Sequence, residues 1–193
     1  MRNLLNHWTS KSALIVGVLA AASAVAPAQA IVAAQRGAEI APFVSTTMLS
    51  PDWGGKNDYG YTLGVDYTRF IRSIVQPSIE ARFTSATGPV VNEHSFTGGL
   101  KLQATIHRVH PYATLLVGQG DIIFVHPVGN YLSDNSIVYS LGAGAEFPIA
   151  RSLRARVDFT HQTWNLDPNG LTPVTYSIGV AYSLPFNRGP AER

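Results

Sequence analysis

Residues 175–185 read TYSIGVAYSLP. Tyr176, Ile178, Val180, Tyr182 and Leu184 alternate with Thr175, Ser177, Gly179, Ala181 and Ser183. The first set is large and apolar; the second is small or weakly polar. A period of two without a fault marks a β-strand with two unlike faces. A soluble barrel or sandwich buries the apolar face in its core. A membrane barrel turns that face out to lipid. The choice between the two decides the class of protein.

Seven further stretches share this character, at about residues 39–49, 59–70, 75–85, 94–106, 109–117, 137–148 and 153–164. Most are longer than the usual strand of about 5–6 residues. Their length suits a tilted crossing of a bilayer, which takes about 9–11 residues. The segments between them read long, short, long, short, long, short, long. SPDWGGKND, ATGPVVNE, the stretch 118–136 and NLDPNGLTP are the long ones. That alternation predicts long outer loops, short inner turns and both termini on the short-turn side.

Composition points the same way. The chain has 193 residues and no cysteine, so it allows one domain without disulfides or thiolate chemistry. Charged residues make up 13%, well below the ~25% of soluble domains. The net charge of +2 comes with no Lys/Arg cluster, which argues against a nucleic-acid surface. Arg2 and Lys11 precede the apolar run SALIVGVLAAASAVA, and Ala28-Gln29-Ala30 follows. This is the pattern of a secretory signal peptide over 1–30, with cleavage after Ala30. The domain reading is then a barrel over 31–186 and a short tail over 187–193.

Sorting side chains by parity assigns the faces. One face collects Asp66, Glu80, Arg82, Lys101, Gln103, Glu146, Arg154, Arg156, Asp158 and Gln162 among Gly, Ser and Thr. The signs are mixed and nearly balanced. A water-facing surface would carry more Lys and Glu. The composition fits the interior of a narrow barrel, and eight strands leave room only for side chains. Glu80 or Glu146 is expected to pair there with Arg82, Arg154 or Arg156. Tyr176, Ile178, Val180, Tyr182 and Leu184 are then lipid-facing. Tyr59, Tyr61, Tyr67, Phe70, Phe96, Tyr139, Phe147, Trp164, Tyr176 and Tyr182 fall mostly near strand ends, where interfacial girdles lie. Strands one and five alternate less cleanly. The fold expected is all-β: an eight-stranded antiparallel up-and-down transmembrane β-barrel.

Signal peptide, eight amphipathic strands and an aromatic-ended last strand resemble the small outer-membrane β-barrel superfamily, the OmpA/OmpX-like group. DFTHQTW…NGLTPVTYSIGVAYSLPF is similar to the closing hairpin of the "outer membrane protein beta-barrel domain" family. The resemblance implies an integral protein of the Gram-negative outer membrane, exported through the periplasm. Its partners would be outer-membrane lipid, lipopolysaccharide and, through the last strand, the barrel-assembly machinery. Phe186 keeps the parity of a terminal aromatic, but NRGPAER follows it.

The resemblance also raises lipid A deacylation, carried in some such barrels by His-x-Ser on a late strand. Here His161-Gln162-Thr163 puts threonine in place of serine, a poorer nucleophile without a positioned base. His107 and His110 bracket a tight turn and have no adjacent third ligand for a metal. Asp121, Asp134 and Asp167 read as loop residues explained by turn chemistry. Gly118-Gln119-Gly120 is no phosphate loop, since no helix follows. No catalytic residue, cofactor or metal site is expected. The function read is a non-enzymatic barrel with a filled lumen that presents its loops for surface interaction or envelope support. The alternatives are a soluble lipocalin-like carrier, a small passive pore and a lipid A-modifying enzyme.

Overall fold

The computed structural model describes residues 37–52, 56–128, 131–166 and 170–186. Residues 1–30, which the sequence reads as a signal peptide, the tail 187–193 and Asp167 lie outside the described residues. The strands are β1 (Ala38–Ser50), β2 (Asp58–Arg69), β3 (Val75–Thr87), β4 (Val91–Ala104), β5 (His110–Val128), β6 (Tyr131–Pro148), β7 (Leu153–Trp164), β8 (Val174–Tyr182) and β9 (Leu184–Phe186). Each pairs antiparallel with the next from β1 to β8. β1 then pairs with both β8 and β9, which closes the sheet into a barrel. β8 and β9 are one wall strand interrupted at Ser183, whose backbone N–H turns aside to Ser152 O at 2.7 Å. The wall therefore has eight strands, and no sheet edge is left open along the paired region.

The connections differ from the length alternation that the sequence suggests. Gly88, Pro89 and Val90 alone join β3 to β4, with Gly88 N–H on Val91 O at 2.9 Å. The stretch 118–136, read as a long loop, is mostly strand. β5 and β6 stay paired from His110↔Glu146 to Ile123↔Ser133 and again at Val128↔Tyr131. Asp121 and Asp134 consequently lie in strands. β5 and β6 span 19 and 18 residues, against 12–14 for β1–β4 and β7, so this hairpin rises above the rest of the wall. Gly118, Gly120 and Asp121 look like turn residues, but Gly120 is glycine for packing. A Cβ there would sit 2.4 Å from the Trp164 ring. At the opposite end, the tight turn closed by Ile106 and Val109 puts His107 at φ 55, a left-handed conformation suited to such a turn.

The two faces of the wall are unlike throughout. Ile178 is 64% exposed, Phe96 63% and Leu115 60%, whereas Lys101, Glu80 and Arg156 have no exposure at all. Apolar side chains cover the outside and charges fill the inside. Water would meet the first and be denied to the second, so the surface needs lipid. This arrangement excludes the lipocalin-like alternative, in which the faces are reversed. Among the described residues no helix is long and apolar enough to span a membrane; the crossing is made by strands. Tyr59, Tyr61, Tyr67, Phe96, Tyr139, Phe147, Tyr176 and Tyr182 are exposed on the outside. Trp164 is a correction: it points inward and is buried.

Candidate functional site in the lumen

The parity of each strand delivers its charges to the barrel axis. Arg156 of β7 stands at the centre. Its Nε donates to Asp158 Oδ2 at 2.8 Å and its Nη2 to Glu80 Oε2 at 2.8 Å. Its Nη1 reaches Asp66 at 3.3 Å and Glu146 at 3.4 Å. Lys101 Nζ bridges Asp66 Oδ2 at 2.8 Å and Glu146 Oε1 at 2.7 Å. Arg82 pairs with Glu80 through Nε at 2.7 Å and approaches Asp158 at 3.5 Å. Arg154 joins the network toward the inner end, with Glu146 at 3.2 Å and Glu39 as its second partner. Ser183 Oγ also donates to Glu39, at 2.5 Å.

These ten ion pairs tie Arg82, Lys101, Arg154 and Arg156 to Glu39, Asp66, Glu80, Glu146 and Asp158. Charge-assisted hydrogen bonds at this spacing offset the desolvation that burial imposes. Two aromatic rings complete the packing. The Arg156 guanidinium lies 3.8 Å from the Phe43 ring centroid and 4.8 Å from that of Tyr112. Lys101 Nζ lies 4.4 Å from Tyr112, whose hydroxyl donates to Asp158 Oδ1 at 2.6 Å. Both rings attract the cations electrostatically.

Phe43 and Tyr112 also explain the imperfect alternation of β1 and β5. Each strand turns one ring inward, and a glycine on a neighbouring strand leaves it space. A Cβ on Gly64 would sit 2.3 Å from Phe43, and one on Gly144 2.4 Å from the Tyr112 hydroxyl. Eight of the ten polar residues sorted from sequence meet in the ionic network. The other two do not. Gln103 lies at the inner end beside Gln76 in register, and Gln162 accepts a hydrogen bond from Trp164 Nε1 at 2.8 Å near the outer end. Glu39, Phe43 and Tyr112 belong to the site and were not sorted into it. Their strands mix apolar residues into the inward face, so the local pattern hides them.

Outside the network, the lumen is filled in layers. Thr47 is bonded to Thr62 at 2.7 Å and to Ser177 at 2.9 Å, and Thr62 to Thr84 at 3.1 Å. This hydroxyl ladder crosses four strands. Beyond it, Val91, Ile122, Val138 and Trp164 form a buried apolar cluster backed by Phe124, Leu166 and Leu171. It caps the outer end of the lumen. Above it, Asp52 Oδ2 accepts from Thr172 N at 2.9 Å and Thr172 Oγ1 at 2.5 Å, joining the β1–β2 and β7–β8 connections.

His94 and His161 sit on the outer wall, whereas His110 shares the inward parity of Tyr112 on β5 and pairs in register with Glu146. His161 faces Leu141 and Val174 in register, and Thr163 faces Tyr139. His94 lies between Ser85 and Asp121 in register, but no side-chain hydrogen bond joins the three, and its ring stacks on Phe83 at 6.3 Å. Among the described residues, no three His, Cys, Asp or Glu converge as a metal site.

No protein-family model and no curated protein matches the chain. Solved structures do. Neisserial surface protein A superposes with a TM-score of 0.52 at 11% identity, covering 77% of this chain and 97% of its own. The chain has the fold of the small outer-membrane β-barrels. Ail, the attachment invasion locus protein of Yersinia pestis, gives 0.49 at 19% identity over 76% of this barrel and 97% of Ail. The outer membrane enzyme PagL gives 0.44 at 19% identity over 75% of this barrel and 99% of PagL. A shared fold assigns no activity; what this barrel does has to be argued from its own side chains.

Proposed function

We propose that this chain is a sealed, non-enzymatic outer-membrane barrel that acts through the surface it presents, by surface interaction or envelope support. The filled lumen carries this reading. From Glu39 at the inner end to Trp164 at the outer end, charged, hydroxyl and apolar layers occupy the cross-section in turn. Ions would have to break several buried pairs to pass, which is costly. The raised β5–β6 hairpin supports the surface role, with Ile123 and Val125 exposed on its outer face. Outer-membrane lipid and lipopolysaccharide would contact the apolar exterior. The assembly machinery would read the last strand through the outward set Tyr176, Ile178, Val180, Tyr182 and Leu184.

Planar-bilayer recording of the purified barrel tests the seal. The expected result is no stable conductance step at moderate voltage. Reproducible single-channel steps from the wild-type protein would replace this reading with the pore.

A further inference from the structure

The ionic network leaves out two buried carboxylates. Asp58 opens β2 and Glu93 lies near the start of β4, both on the inward face at the outer mouth. Their exposures are 2% and 3%. Neither oxygen of Glu93 has a hydrogen-bond partner, and Asp58 Oδ2 has none. Among the described residues no ion pair reaches either group. Both flank the outer end of β3: Asp58 packs on Gly88, and Glu93 pairs in register with Ala86, two residues before it. Every carboxylate of the central network is matched to a cation; this pair is not. An unpaired buried carboxylate is strongly disfavoured, and two side by side more so.

What is missing is positive charge, and the surroundings admit it from outside. Gly88 packs directly on the Asp58 carboxylate, since a Cβ there would sit 1.8 Å from Oδ1. Gly88 also lines an open cavity of about 530 Å³ with Lys56, Asn57, Tyr59, Thr87 and Pro89. Gly88 thus stands between the Asp58 carboxylate and this cavity at the outer end of the β3–β4 hairpin.

We propose that Asp58 and Glu93 together bind a divalent cation of the calcium class at the outer mouth of the barrel. Calcium takes oxygen ligands in flexible geometry, so two carboxylates with water completing the shell suit it better than magnesium, which demands a strict octahedron. Two acidic side chains give a weak site, of about 10⁻⁴–10⁻³ M, as in extracellular calcium modules. The ion would pin the mouths of β2 and β4 together across β3.

The test is thermal unfolding of the full chain refolded in detergent micelles, after chelation and then with millimolar calcium chloride, against sodium chloride of equal ionic strength. Calcium should raise the midpoint by a few degrees, since a ligand bound only by the folded state stabilises it by mass action. Glu93→Gln and Asp58→Asn should fold without calcium at least as well as wild type and lose the calcium shift. Lys56→Met should keep it. An absent shift in wild type, or an equal shift in Glu93→Gln, overturns the proposal. So does a Lys56→Met variant that is destabilised without calcium while wild type ignores the ion, because Lys56 would then be the counter-charge.

Discussion

Replacing Arg156 with alanine should destabilise the barrel by about 3–5 kcal/mol, the usual consequence of removing one partner from a buried ion pair. Arg156 is fully buried and stands among Asp66, Glu80, Glu146 and Asp158. Without it, Asp158 keeps only Arg82 at 3.5 Å and the Tyr112 hydroxyl, and three other carboxylates share fewer cations. The Phe43 ring loses the guanidinium 3.8 Å above it. Lysine restores the charge without the fork that serves several carboxylates, so Arg156→Lys should recover only part of the loss. Urea unfolding in lipid vesicles reads both values. A loss below about 1 kcal/mol for Arg156→Ala would place the barrel's stability in its wall and leave the network incidental.

Trp164→Ala should produce a loss of similar size, about 3–5 kcal/mol, by a different cause. The ring is almost completely buried among Val91, Ile122 and Val138, and it lies against Gly120. Its removal leaves a void at the outer end of the lumen and frees Gln162 of its indole partner. Little can collapse into the void, because Gly120 offers no side chain. Trp164→Phe should cost much less, since it keeps most of the apolar volume. The same unfolding experiment decides. Equal stability of the alanine variant and wild type would mean that the cap does not seal the mouth.

The inside and outside of this barrel were legible wherever a strand carries one kind of residue per face. Arg154, Arg156 and Asp158 against Ala155, Val157 and Phe159 needed nothing beyond parity. The reading failed where an inward position is apolar for a reason that lies on another strand. Phe43 and Tyr112 face in because cations from β4 and β7 cover their rings. Leu116 and Ile122 face in on β5, and Ile122 belongs to the cap. The outer halves of β5 and β6 read as loop in the sequence because glycine and aspartate resemble turn chemistry, whereas Gly120 serves the Trp164 ring. Glu93 shares the parity of Ser95 and Thr97, so extending β4 toward its start would have placed it inside. The expected pairing of Glu80 and Glu146 with Arg82, Arg154 or Arg156 is present, but the second partner of Arg154 is not legible in the sequence. Arg154 and Glu39 are 115 residues apart, and only barrel closure brings them together.

The central claim is that the alternating faces of the wall are turned apolar-outward into lipid. The chain has no cysteine, so single spin labels can be placed without background. The most direct measurement is the oxygen and nickel-chelate accessibility of labels at Tyr176, Ile178, Val180 and Tyr182 in reconstituted bilayers. The account predicts high oxygen and low nickel accessibility at Ile178 and Val180, with nickel rising toward the strand ends. Labels at Ile178 and Val180 that meet the nickel chelate freely, or neither reagent, would put that face in water or in a soluble core and contradict the account.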